Sequence, residues 1–532
     1  MPASHRRLTL AAVCLCAFAV NLDVTIVNVT LPTLVRELDA STRELQWVVD
    51  AYTLVFAALV LAAGSLGDRF GWRGTLLVGL GVYSVGNGLA SLTSSTEELI
   101  ATRAIMGLGA ALIFPTTLSI ITNVFTERAE RAKAIGLWGA VTGLAIALGP
   151  IAGGALLASF SWPSTFLAKV PVALVAIALV LWVVPTSKDP EAPRLDLGGL
   201  ALSTVFVGTL VYAIIEAPEA GWQSAQTLGL LAAALALGAV FVAFERRVTQ
   251  PMLDVRVFRN LRFSAASVSI TVAFFALAGF IFLITQYFQF LKGYGPLETG
   301  LRILPVATSV AVGSIVGTQL AVRRGTKFVV GGGLAMLAVA YAWTSTADAS
   351  TAYSTIVGQM LFLGTGMGLT SAPATESIMG AVSEAKAGIG SAINDTAREL
   401  GATLGVAVIG SVYASLYADA FASSAARAVP GEAVEAARES VGAALIATER
   451  LGDAGAGEAG TALFGLASQG FFDGMQAGCL VAAGVCAAGA VLCLLTLPAQ
   501  PEPEAANQTS IQSPGAVIRT ATPAAAPASA SR

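Results

Sequence analysis

The chain has 532 residues, of which 55% are hydrophobic and only 12% charged, with a mean hydropathy of +0.75 and a formal net charge of −3. Soluble domains carry about 25% charged residues, so a string of soluble domains is excluded. The near-neutral balance also excludes a bulk basic surface for nucleic acid.

A helix needs about 20 apolar residues to cross ~30 Å of hydrocarbon. Such runs lie near 9–34, 45–66, 74–94, 98–121, 134–158 and 163–184, then near 197–217 and 225–244. A second set follows near 263–290, 297–321, 328–346, 352–375, 387–416 and 474–497, about fourteen in all. Arg6 and Arg7 ahead of the first run suggest a signal peptide, but Asn21, Asp23 and Asn28 interrupt the apolar stretch, so the first span is expected to stay in the membrane. With a cytoplasmic N-terminus, 18 of the 30 Lys and Arg fall in the N-terminal tail and the inner loops, among them Arg69, Arg73, Arg128, Arg131 and Lys133. The short outer loops hold only Arg36, Arg43 and Lys292. This asymmetry predicts both termini inside.

Charges inside the spans come next, because each costs at least ~2.5–3.5 kcal/mol on insertion scales. Asp23 lies in LDVTIVNVTLP (22–32), Asp50 in the second span and Arg103 in RAIMGLGAA (103–111). At a rise of 1.5 Å per residue, Asp23 sits roughly 21 Å from the inner start of its helix, and Asp50 and Arg103 about 9 Å below the outer ends of theirs. The three are predicted to share one layer. One arginine between two aspartates would leave one carboxylate free to take a proton. In the thirteenth span, Asp395, Arg398 and Glu399 are spaced by three and four and so share a helical face. They are either a proton- or cation-responsive group or a fixed salt-bridge triad. Glu216 and Glu376 lie near span ends, and Arg302 near the outer start of the tenth span is expected to be structural.

Glycines mark the conformational elements. The segment GSLGDRFGWR (64–73) offers a tight reversal through Gly64 and Gly71, with Asp68 able to cap or pair and Arg69 and Arg73 as inner-side cations. In the fifth span Gly139/Gly143 and Gly149/Gly153 are each four apart, predicting flat faces for close helix packing. Pro150, followed by Gly153-Gly154, should bend that helix. Outside the bundle, residues 417–471 are expected to form an extracytoplasmic loop with a short amphipathic helix after Pro430-Gly431. Residues 498–532, rich in Pro, Ala, Ser and Thr, are expected to be disordered.

Several chemistries have no residues to support them. The single histidine is His5, in the N-terminal tail, so no buried histidine relay or histidine-ligated metal site is available. The five cysteines (Cys14, Cys16, Cys479, Cys486, Cys493) lie in apolar runs without a zinc or disulfide spacing. No lysine follows a glycine, so the G-K-[ST] end of a P-loop is missing. No nucleophile–base constellation appears, and the tail of about 35 residues is too short for a sensor's output domain. No enzyme activity, cofactor or ATPase subunit is expected.

Together with GPIAGG (149–154), EAPEAGW (216–222) and FLITQYFQFLKGYGPLETGLRILP (282–305), the strings quoted above resemble the major facilitator superfamily, specifically its fourteen-span drug:proton antiporter branch. The resemblance spans most of residues 10–415. It implies an all-α polytopic fold: an N-terminal six-helix bundle (1–190), two inserted helices (191–250) and a C-terminal six-helix bundle (251–497). It further implies a bacterial plasma-membrane exporter, multi-pass, exchanging protons for lipophilic, often cationic drugs or antibiotics. A dedicated self-resistance exporter of one antibiotic and a proton-independent facilitator are the alternatives. The family's fifth-span motif is associated with outward transport, and paired acids in the thirteenth span with cation recognition or coupling. The chain departs from the family pattern at Pro163-Ser164 and at Lys169-Val170-Pro171, where Lys169 brings an unexpected cation that would tune substrate charge. The second-half echo of the loop motif keeps Gly325 and Lys327 but has Val322 opposite Asp68. Candidate substrate contacts are Trp47, Phe114, Trp138, Lys169, Phe275, Tyr287 and Gln289, an aromatic and amide set suited to flat cations.

Overall fold

The computed structural model describes residues 3–498 except Thr126, 187–195, Gln250, Met252, Asp254, 382–386 and 422–428. Among the described residues the regular structure is entirely helical. The first half comprises α1 (Ala3–Leu38), α2 (Thr42–Phe70), α3 (Trp72–Ala90), α4 (Thr96–Val124), α5 (Arg128–Ser159), α6 (Ser164–Leu167) and α7 (Lys169–Val183). The pair α8 (Leu197–Ala220) and α9 (Ala225–Glu245) follows. The second half holds α10 (Leu261–Gln286), α11 (Pro296–Arg324), α12 (Thr326–Thr344), α13 (Tyr353–Gly380) and α14 (Ala387–Ala420). It closes with α15 (Gly431–Glu439), α16 (Val441–Asp453) and α17 (Gly457–Thr496).

Counting α6 and α7 as one broken span and setting aside α15 and α16, these are the fourteen expected spans. Among the described residues, eleven are long and apolar enough to cross a membrane. Of the other three, α3 and α13 are rich in Gly, Ser and Thr; α2 and α3 pack on α4, and α13 packs on α11 and α12. The helix starts follow local chemistry. Ser41 and Glu44 form a reciprocal capping box at α2, and Ser95, Asp196, Ser224 and Asn260 cap α4, α8, α9 and α10.

The reversal between α2 and α3 is made by Gly71 alone, with φ 102°, where an L side chain is strained. Gly325, between α11 and α12, repeats that geometry at φ 91°. The internal repeat is therefore visible at the one residue whose backbone requires glycine. Arg73 donates to the Leu181 carbonyl (2.6 Å), tying α3 to α7. The backbone of α2 runs through Gly64, Asp68 and Arg69, but their side chains lie outside the described residues, as do those of Arg128, Arg131 and Lys133 and the tail beyond 498.

The halves meet along two seams, α2 against α14 and α5 against α11. A Cβ on Gly154 would stand 2.5 Å from the Leu297 Cα, and one on Gly300 would land on the Pro150 carbonyl. Within the first half, a Cβ on Gly149 would meet Thr25 and one on Gly153 would meet Ile26, so α1 and α5 touch backbone to backbone. Gly139 and Gly143, expected to give a similar flat face, have no atom within 4 Å of an added Cβ. They lie nearer the start of α5, away from the seam formed by its last turns. The contacts between the halves named here lie towards the end of the bundle that carries the α1–α2 connection.

That same end is overlaid by part of segment 417–471, which is more ordered than a loop. It contributes the end of α14, all of α15 and α16 and the first turns of α17. Thr42 donates to the Glu439 carbonyl (3.1 Å) and Tyr417 to that of Ala437 (2.8 Å), while Gly442 lies against Val35 and Phe290. Glu439 is held above the usual glutamate range by burial, with Glu44, Asp39 and Glu435 adding repulsion. Asp348, in the α12–α13 connection, is held below the usual aspartate range by hydrogen bonds from Ser350 and Thr351.

Candidate functional site

The first-half site is built on Asp23, which is fully buried in the middle of α1. Arg103 of α4 places Nη1 2.5 Å from its Oδ2, and the Lys169 Nζ of α7 contacts its Oδ1. Arg103 also donates through Nε to the Val48 carbonyl (2.8 Å) and lies 4.4 Å from the Tyr52 ring centroid. One guanidinium thus ties α1, α2 and α4 together. The Tyr83 and Tyr52 hydroxyls donate to the Ala19 and Val20 carbonyls (3.0 and 3.4 Å), bracing α1 one turn before Asp23. A buried pair of this kind is costly to break from one side, roughly 3–5 kcal/mol, because the remaining charge loses its partner.

Asp50 differs from the expected arrangement. Arg103 does not lie between two aspartates; it takes Asp23 and a backbone carbonyl, and both Asp50 carboxylate oxygens are buried without a hydrogen-bond partner among the described residues. Gln46, Asp50 and Thr53 are spaced by four and three, so they share the α2 face that meets α14. Gln46 donates to the Val406 and Ala407 carbonyls (3.3 and 3.1 Å) and to Ser411 (3.3 Å), and the Thr53 and Thr403 hydroxyls are hydrogen-bonded to one another (2.8 Å). Asp50 therefore sits in the seam between the halves, bracketed by cross-seam hydrogen bonds.

The second-half acids continue along α14 from that seam. Arg398 reaches Asp395 only at 3.8 Å and instead lies 4.6 Å from the Phe274 ring centroid. Asp395 Oδ2, Glu399 Oε2 and Arg398 Nε are buried without hydrogen-bond partners among the described residues. The three share a face, as expected, but they do not form a tight salt-bridge triad. Thr403 donates to the Glu399 carbonyl (2.9 Å) and accepts from Thr53 across the seam, so Glu399 lies one turn along α14 from the Asp50 bracket.

The aromatic candidates separate into three places. Phe114 and Trp138 continue a chain that starts at the Arg103 site, Tyr52–Phe56–Phe114–Trp138, with centroids 6.2, 5.9 and 5.1 Å apart, and the Trp138 Nε1 donates to Thr117 (3.1 Å). Trp47 points elsewhere, packing on Tyr212 of α8 at 6.2 Å and joining a small apolar cluster under the inserted helices. Phe275 is buried where α10 meets Gly405 of α14. Tyr287 and Gln289 occupy a π-helical turn (Tyr287–Leu291), where Tyr287 donates to the Asp348 carbonyl (2.9 Å) and Gln289 to that of Val29 (3.0 Å). Lys169, expected among substrate contacts, is 2% exposed and engaged with Asp23. Sequence reasoning missed that pairing; a lysine isolated in an apolar run close to Pro171 was the available signal.

The remaining polar motifs fasten the assembly. Arg43 pairs with Glu216 (3.0 Å) and Glu219, and Trp222 donates to Ser415 (3.0 Å), so EAPEAGW docks the inserted pair onto α2 and α14. Arg302 bonds Glu298 (2.6 Å) and stacks on Tyr294 and Tyr353, in keeping with a structural role.

The family model described as Major Facilitator Superfamily matches residues 13–406. The chain belongs to this superfamily. It is 36% identical over 423 residues to the multidrug resistance protein Stp of Mycobacterium tuberculosis, covering 80% of this chain and 79% of that one. It is 34% identical to the multidrug efflux pump LfrA of Mycolicibacterium smegmatis, covering 75% and 79%. It is 32% identical to the tetracenomycin C resistance and export protein of Streptomyces glaucescens, covering 76% and 75%. Its fold is similar to that of a bacterial homolog of the human lysosomal transporter Spinster, solved in an inward-facing and unoccupied conformation. The TM-score is 0.66 at 18% identity, over 94% of this chain and 99% of that one.

Proposed function

We propose that this superfamily member is a proton-coupled exporter of lipophilic, often cationic drugs or antibiotics. It would lie in a bacterial plasma membrane with both termini cytoplasmic, and the arginine and lysine asymmetry supports that orientation. The names of its relatives, multidrug and antibiotic resistance proteins, support the substrate class. In that orientation the α1–α2 end faces outward, and the seams described above close the outer side.

The observation that carries the coupling is Asp50. An ionised carboxylate out of water without a cation or N–H donor costs several kcal/mol, and in the closed α2–α14 seam Asp50 has neither among the described residues. A proton removes that cost, so protonated Asp50 favours the closed outer side. When the seam opens outward, water reaches the carboxylate and the ionised form is tolerated. The outer side recloses once a proton from outside has been taken up. That proton leaves to the cytoplasm when a cationic substrate enters the inward-open cavity, and the ionised carboxylate then favours outward opening. This net inward proton flow supplies the free energy for export. Asp23, already paired, serves as the fixed tie of the first half. Asp395 and Glu399 offer unpaired carboxylate oxygens to a cationic substrate, and the Tyr52–Trp138 chain offers ring faces.

A bacterium lacking its own efflux pumps provides the first test. Wild-type protein should lower accumulation of a cationic dye, and a protonophore should abolish the effect. Extrusion that survives collapse of the proton gradient would refute the coupling.

A further inference from the structure

Of the three groups in contact at the first-half site, Asp23 and Arg103 already neutralise one another, so the Lys169 ammonium is a surplus positive charge. It is shielded from solvent and lies 4.6 Å from the Phe166 ring centroid. Its place in the chain adds to the cost of that charge. Lys169 is the first residue of α7, joined to α6 through Ala168, which keeps helical backbone angles, so the ammonium lies within an apolar membrane-spanning stretch. Beyond it α7 is uninterruptedly apolar or proline, offering no second carboxylate.

We propose that Lys169 is a second proton-carrying residue of the transport cycle, alternating between ammonium and amine while Asp23 and Arg103 remain a fixed ion pair. This rests on the proton-coupled reading above. Arginine does not give up its proton in proteins, so Lys169 is the one cation of the site that can lose its charge; lysine, unlike arginine, changes protonation readily when buried. The charged groups facing it are Asp23 on α1 and Arg103 on α4, with Tyr52 of α2 and Tyr83 of α3 packed around that pair. Residues 134–167, through the rest of α5 and α6, carry no titratable side chain. When a cationic substrate enters the bundle, one N–H bond of the ammonium breaks, the electron pair stays on nitrogen and the proton leaves to water on the open side. Nothing is oxidised or reduced. The neutral amine weakens its hold on Asp23, which loosens the tie between the start of α7 and α1.

The test is proton release when ethidium, a lipophilic monocation, binds the purified full-length protein in weakly buffered detergent. By linkage, wild type should release about two protons per bound dye, and Asp50→Asn or Lys169→Arg about one. The double variant should release almost none, with dye binding retained throughout. Full wild-type release from Lys169→Arg would make Lys169 a mere counter-ion and overturn the proposal. Complete loss of release from Asp50→Asn alone would overturn it too, without depending on how the lysine variant folds. If wild type binds dye and releases no proton at all, the proton-coupled reading itself fails.

Discussion

The sharpest consequence of the Asp50 geometry is that the outer side should open as pH rises and that one substitution should abolish the response. Asp50 lies in the α2–α14 seam between Gln46 and Thr53, both bonded across to α14, and neither of its own oxygens has a partner among the described residues. Taking about 3 kcal/mol as the low end of the cost of an unpartnered ionised carboxylate gives roughly a 150-fold bias against the closed seam once the proton is lost. The sign follows directly: acid favours closure and alkali favours opening. Asp50→Asn keeps the side-chain size and removes the charge, so it should stay closed at either pH. Spin labels at Leu92 and Ala349, exposed in the α3–α4 and α12–α13 connections, report the separation of the halves on this side by pulsed electron resonance. The five natural cysteines are all buried and leave the labels specific. Wild type should move towards longer distances between mildly acidic and mildly alkaline pH, whereas Asp50→Asn should not. An equal pH response in both proteins would refute the reasoning.

Other perturbations act on separate parts of the account. Gly300→Ala drives a Cβ into the Pro150 backbone and should cost the closed α5–α11 seam about 1–3 kcal/mol, seen with the same labels as a gain of the open form. Gly139→Ala, whose Cβ meets nothing, should leave the distances unchanged, and an equal shift from both would discard the seam argument. Asp395→Asn and Glu399→Gln should weaken export of cationic dyes several-fold more than export of neutral ones; equal losses in transport assays would assign α14's acids to structure. Glu439, raised by burial, stabilises the α15–α16 cap below the usual glutamate range near 4.5 and loses that contribution as pH rises above it. Protection from hydrogen exchange over 431–453, relative to the intrinsic base-catalysed rate at each pH, should therefore fall from acid to neutral pH in wild type and much less in Glu439→Gln.

Much of the architecture is written in residues whose effect is local. Apolar runs of about 20 residues define the spans without reference to neighbours, and Ser41, Ser95 and Asn260 mark helix starts by their own side-chain hydrogen bonds. Gly71 and Gly325 reveal the repeat because their backbone angles exclude other residues. The pairing of Asp23 with Arg103 follows from placing two opposite charges at one depth. Side-chain direction around a helix does not follow from depth. Trp47 turned to the inserted helices, Arg103 chose the Val48 carbonyl over Asp50, and Gly139 met open space, all through packing between distant segments. The order within 417–471 was hidden for a related reason. Its Ala- and Gly-rich helices are too polar to read as spans, and they are fixed by contacts to Thr42, Val35 and Phe290 far away in sequence.

The central claim is that an inward proton flow drives export, and purified protein in sealed vesicles under an imposed pH gradient tests it most directly. A cationic dye should move against its own gradient while the proton gradient stands and stop when it is collapsed, with Asp50→Asn carrying no uphill flux. Dye that moves only down its own gradient, or uphill movement that persists in Asp50→Asn, would contradict the account.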